Sequence, residues 1–190
     1  DPLTDYLPAL RDSAYEAVTL RHVMTMSSGV RWTEIYPDRN SDVNHYPKSL
    51  ADKVPDGVLK LMASLPRAHP PGSTFLYNSG DTFLLGAALT RAVGKPLADY
   101  MSEKVWQPAG MECDAFYTLE SDGGQEIGGS RAGMVLRDFG RFAEFVRKNG
   151  KPTAVHRIVV FKTAEVQPIA SEFRCQPARA VVFQHSAKLR

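Results

Sequence analysis

No apolar run in this 190-residue chain approaches the roughly 20 residues that a membrane-crossing helix needs. The N-terminus has no basic stretch leading into an apolar one, so no membrane span is predicted and any export signal is expected ahead of Asp1. Cysteine is scarce. Cys113 and Cys175 stand far apart, in no Cys-x-x-Cys pair, and read as small buried hydrophobes rather than as a zinc knuckle or redox motif. The five histidines, His22, His45, His69, His156 and His185, form neither a His-Glu-x-x-His motif nor a ligand cluster, so no metal and no other cofactor is predicted. Charge is nearly balanced at +2, although residues 151–190 hold seven Lys/Arg against two Glu and residues 1–150 hold sixteen against nineteen acids. The basic residues of that tail are singly spaced, and a nucleic-acid partner is not predicted.

What remains is a globular composition, 43% hydrophobic, in a length that suits one domain of ordinary size. Leu3, Tyr6, Leu7 and Leu10 lie in a proline-punctuated opening that reads as a wrapped surface loop rather than a regular element. Thr19 is placed to cap a short helix carrying Leu20, Val23 and Met24, with Gly29 positioned to end it. Residues 29–54 have turn residues and aromatics without a sustained period and are predicted to be a long functional loop. Pro55 opens a helix with Val58, Leu61, Met62 and Leu65 on its apolar face. Phe83, Leu84, Ala87 and Ala88 then follow helical spacing up to Gly94. Pro96 starts a further helix, and a last one is predicted from about Arg137 with Leu136, Phe139, Phe142, Ala143 and Val146 inward. Ile158–Phe161 and Val181–Phe183 are possible short strands.

Two short stretches bear on chemistry. In "YNSGD", Asn78 or Ser79 can cap the helix that follows and Asp81 suits the positive end of its dipole. In "GGSRA", Ser130 lies one residue short of a Gly-x-Ser-x-Gly elbow, but "SDGGQEI" before it is no buried strand, so a glycine-rich turn is the better reading.

In order and spacing, "DPLTDYLPAL", "VTLRHVMTMSSGV", "PPGSTFLYNSGDTFLLGAALTRAVGKPLADYMSEKVWQPAGM" and "GGSRAGMVLRDFGRFAEFV" resemble the middle of a serine hydrolase of the β-lactamase and D-alanyl-D-alanine-peptidase superfamily. The "SSGVRWTEIYPDRNSDV" loop is most similar to 6-aminohexanoate-dimer hydrolases and related β-lactamase-fold esterases and amidases. The resemblance implies an α/β parent fold, an antiparallel sheet plus a helical region, of which this chain is a fragment made mostly of helices and long loops. It implies acyl transfer through an acyl-enzyme on a small amide or ester substrate.

Tyr77-Asn78-Ser79 matches the family's Tyr-x-Ser motif, which places Tyr77 as catalytic base and acid with Ser79 and Asn78 supporting it. Trp32 and Tyr36 either line the substrate cleft or simply pack. The family's Ser-x-x-Lys is missing, since no serine here has lysine three residues on, and it is expected upstream of Asp1. Lys162-Thr163-Ala164 is only an imperfect match to the third motif, Lys-Thr-Gly. Residues 1–150 are therefore read as the middle of the hydrolase domain and 151–190 as an atypical basic tail, out of frame or truncated. The alternative is a non-catalytic binding module of the same fold.

Overall fold

The computed structural model describes residues 1–130, 132–152 and 180–183. They divide into two compact units, the first built from 1–94 and 119–130 and the second from 95–118 and the described residues from 132 onward.

In the first unit the opening segment departs from the expected surface loop: it forms two short 3-10 turns, Leu3–Asp5 and Pro8–Leu10, and buries Leu3, Leu7 and Leu10 in the core. Helix α1, Leu20–Met24, is capped as expected: the Thr19 hydroxyl accepts the His22 N–H, while the His22 imidazole accepts the Thr19 N–H. It stops well short of Gly29, with Met26 already at φ +52°. Gly29 has a different task. At φ +73° its carbonyl accepts the N–H groups of Ala68 and His69, and an added Cβ would collide with the His69 carbonyl oxygen. Further bonds from Arg31 N to the Pro66 carbonyl (2.8 Å), Gly72 N to Ser27 (2.7 Å) and Leu76 N to Met26 (2.8 Å) lay residues 66–76 alongside 26–31. The segment that ends in Tyr77 is thereby fixed beside the segment leading to Trp32.

The predicted long loop over 29–54 is corrected, because α2, Asp42–Ala51, lies within it. Its start is tied from outside rather than by periodicity: the Thr33 N–H and hydroxyl both donate to Asp42, and the Ser41 hydroxyl donates to the Thr33 carbonyl. Val43 and Tyr46 turn inward, and the Tyr46 ring meets Phe83 edge-on at 6.3 Å between centroids. Helix α3, Gly57–Ser64, buries Val58 and Met62. Helix α4, Ser79–Val93, buries Phe83, Leu84, Ala87 and Ala88 and ends at Gly94 in the left-handed conformation, as the sequence predicts. Ile127 joins this core from the 119–130 segment, and Ser130 ends it exposed on a turn with no helix directly after it.

In the second unit, α5 (Leu97–Met101) runs through one wider turn over Ser102–Trp106 into α6, Gln107–Ala109, which Gly110 terminates. The sheet is small. Strand β1, Ala115–Thr118, pairs antiparallel with β2, Ala132–Gly133, and parallel with β3, Ala180–Phe183, Phe116 facing Val181. The expected strand at Val181–Phe183 is thus present. Ile158–Phe161 and Lys162-Thr163-Ala164 lie outside the described residues.

Helix α7, Leu136–Arg147, forms where expected but faces otherwise. Leu136, Phe139 and Val146 are exposed, while Asp138 and Phe145 are buried and Phe142 is partly so. Asp138 decides the rotation: its carboxylate accepts the backbone N–H groups of Glu112 (2.9 Å) and Cys113 (2.8 Å) and a bond from Arg141 (2.9 Å). A buried carboxylate so satisfied outweighs the apolar pattern.

Candidate active site

Tyr77 lies on a loop directly before Asn78, the N-cap of α4, and is 55% exposed. The residues after it are held tightly. Asn78, almost fully buried, caps the helix by accepting the Asp81 N–H at 3.1 Å. Ser79 donates twice to Glu34, from its backbone N–H at 3.2 Å and its hydroxyl at 2.7 Å. Among the described residues the Tyr77 hydroxyl has no hydrogen-bond partner. A phenol on a rigid helix start, with its own oxygen unengaged, is suited to proton exchange with a group that enters the open side.

Glu34 ties the aromatic loop to this turn. Its carboxylate also accepts the Trp32 indole N–H at 2.7 Å and the Tyr36 hydroxyl at 2.9 Å. Partial burial pushes the Glu34 carboxyl up, but the donors on Trp32, Ser79 and Tyr36 outweigh it and hold the group below its ordinary value. The Ser79 N–H is a first-turn amide of α4, so the anion also sits at the positive end of a 15-residue helix. Tyr36 is exposed, and its phenol is pushed up by the hydrogen bond and negative charge of Glu34 and, more weakly, by Tyr77. Tyr36 and the Tyr77 turn are tied to one carboxylate, since the Tyr36 and Ser79 hydroxyls share Glu34 Oε1. Trp32, 4% exposed, is part of the core and presents only its N–H edge to Glu34.

Beneath the turn lies a buried acid. The Tyr15 hydroxyl donates to Asp81 at 2.7 Å, and both residues are fully buried. Burial raises the Asp81 carboxyl to about 6, against the pull of hydrogen bonding from Tyr15 and Ser28. Tyr15 is driven well above the usual phenol range by burial first and by the Asp81 charge second. The helix-dipole reading of Asp81 omitted this partner, 66 residues away. Glu34 was missed as well, although an acid alternating between two aromatic donors in "WTEIY" is a readable signal.

A family model described as beta-lactamase matches residues 1–154. The chain belongs to the beta-lactamase family. Among curated relatives, esterase EstB of Burkholderia gladioli is 32% identical over 124 residues, 63% of this chain and 31% of that protein. The 6-aminohexanoate-dimer hydrolase of Paenarthrobacter ureafaciens is 25% identical over 156 residues, 78% of this chain and 39% of its own. The chain spans about a third of the length of the curated relatives it matches.

Solved beta-lactamase-fold structures agree. A Bacillus anthracis protein provisionally named a 6-aminohexanoate-dimer hydrolase superposes with a TM-score of 0.65 at 20% identity, over 80% of this chain and 41% of that one. A D-stereospecific amidohydrolase from Streptomyces sp. gives 0.56 at 14% identity, over 81% and 54%. At these identities the structures speak to the fold. The likeness to esterases and 6-aminohexanoate-dimer hydrolases expected from the sequence is present among the relatives.

Proposed function

We propose that this chain carries the tyrosine half of a serine-hydrolase active site that cleaves small amides or esters through an acyl-enzyme. Tyr77 acts as general base and then general acid. It takes the proton of an attacking serine hydroxyl as the serine oxygen bonds to the substrate carbonyl carbon. It returns that proton to the leaving nitrogen or oxygen as the carbon–heteroatom bond breaks, and water repeats the sequence to release the acid. The observation that carries the reading is the exposed Tyr77, whose hydroxyl has no partner among the described residues, on a turn whose next two residues are both hydrogen-bonded in place.

Asn78 and Ser79 support that turn. Tyr36, exposed and bonded to the carboxylate that also holds Ser79, lines the substrate side, and Trp32 supports it from the core. The nucleophile and its lysine are absent from these 190 residues and are expected from a Ser-x-x-Lys helix encoded upstream, so the chain alone is inactive.

The test is hydrolysis of a chromogenic ester and its amide analogue by a version extended through that helix. Tyr77→Phe is expected to lower kcat by about 10²–10⁴ with little change in KM. Undiminished turnover of that variant would remove Tyr77 from the mechanism.

A further inference from the structure

A carboxylate has about four lone-pair positions. Those of Glu34 meet four donors: the Trp32 indole and Ser79 N–H groups on Oε2, and the Tyr36 and Ser79 hydroxyls on Oε1. A group so saturated has no capacity left to bind a substrate cation or to accept a reacting proton. Its effect is on the groups that point at it. The Ser79 hydroxyl is oriented by its donation to Oε1. The Tyr36 proton is aimed at an anion 2.9 Å away, and losing it would set two negative oxygens against each other. Tyr77, the neighbouring phenol, has no such commitment among the described residues.

We propose that Glu34 is a positioning residue for this site: its carboxylate clamps residues 32–36 to the Tyr77 turn and keeps Tyr36 a hydrogen-bond donor. Of the two exposed phenols of this site, only Tyr77 is then left to exchange a proton. The proposal rests on the reading of Tyr77 as the base, because two competing phenols would blur which oxygen carries the proton at each step. The titratable groups acting on Tyr36 are Glu34 and Tyr77, and the direction of its shift agrees with the geometry.

The experiment is a pH titration of the full 190-residue chain labelled with ¹³C at the tyrosine Cζ, followed by NMR, with Tyr36→Phe used to assign the Tyr36 resonance. In the unmutated chain Tyr36 is expected to titrate above free tyrosine. Glu34→Gln, which replaces the anion with a neutral amide of the same shape, should move that midpoint down toward free tyrosine. Glu34→Asp, which keeps the charge, should retain part of the elevation.

A Tyr36 midpoint at or below that of free tyrosine in the unmutated chain overturns the proposal without any Glu34 variant. So does an unchanged midpoint in folded Glu34→Gln. This readout needs no turnover, so it separates from the hydrolase reading. An ordinary Tyr36 titration sinks the positioning role alone, whereas full activity of Tyr77→Phe in the extended protein removes the catalytic reading on which that role rests, however Tyr36 titrates.

Discussion

The Glu34 carboxylate accepts both the backbone N–H and the hydroxyl of Ser79, a residue 45 positions further along the chain. This pair joins the aromatic loop to the first residue of α4. Removing one of its two bonds leaves the carboxylate with three donors, still ionised but less well held. Ser79→Ala is therefore expected to cost about 1–2 kcal/mol in denaturant unfolding. Because the Trp32 indole shares the same carboxylate, its fluorescence is the natural probe.

Asp81 gives the first unit an unusual pH dependence. Its folded value of about 6 lies above its ordinary 3.8, so the folded state binds the extra proton. Its contribution to stability is complete below the unfolded value and is lost as pH rises through about 6. Unfolding free energy is expected to rise as pH falls from about 7 to about 5, by about 1 kcal/mol per unit near the lower end. Asp81→Asn should flatten that slope while keeping an acceptor for the Tyr15 hydroxyl. Urea titrations of both proteins at several pH values check this, and equal slopes would show that Asp81 does not titrate in that window.

Helix α7 separates pattern from packing. Phe145 is buried against Trp106 and Met111, whereas Leu136 is 88% exposed. Phe145→Ala is expected to destabilise by about 3–5 kcal/mol and Leu136→Ser by less than about 0.5 kcal/mol. Apolar periodicity alone predicts a substantial cost for Leu136, so thermal unfolding of the two variants distinguishes the accounts.

What was legible in the sequence was local. The Thr19 cap, the start of α4 after Tyr77 and its end at Gly94 are written in neighbouring residues, and all three are present. The places where reading failed depend on partners distant in the chain. Helix α2 starts where Thr33 meets Ser41 and Asp42, and the face of α7 is set by backbone amides at 112 and 113. Gly29 looked like a helix stop because glycine suits one, but its role comes from a segment that arrives about forty residues later. At the site, the motif pointed to Tyr77. Tyr15, which acts through a hydrogen bond to a residue 66 positions away, had no motif to announce it, and the tie of Glu34 to Ser79 was equally distant, although its aromatic neighbours were readable.

The central claim is that Tyr77 belongs to an active site whose nucleophile these 190 residues do not supply. Its most direct test is covalent labelling. The purified chain and a version extended upstream through Ser-x-x-Lys are each incubated with a fluorophosphonate probe and weighed by intact-protein mass spectrometry. The account predicts no adduct on the chain alone and one probe per molecule on the extended protein, attached to the serine of the new motif. A stoichiometric serine adduct on the chain alone, at Ser79, Ser130 or elsewhere, would contradict it, as would an extended protein that carries Ser-x-x-Lys and stays unlabelled.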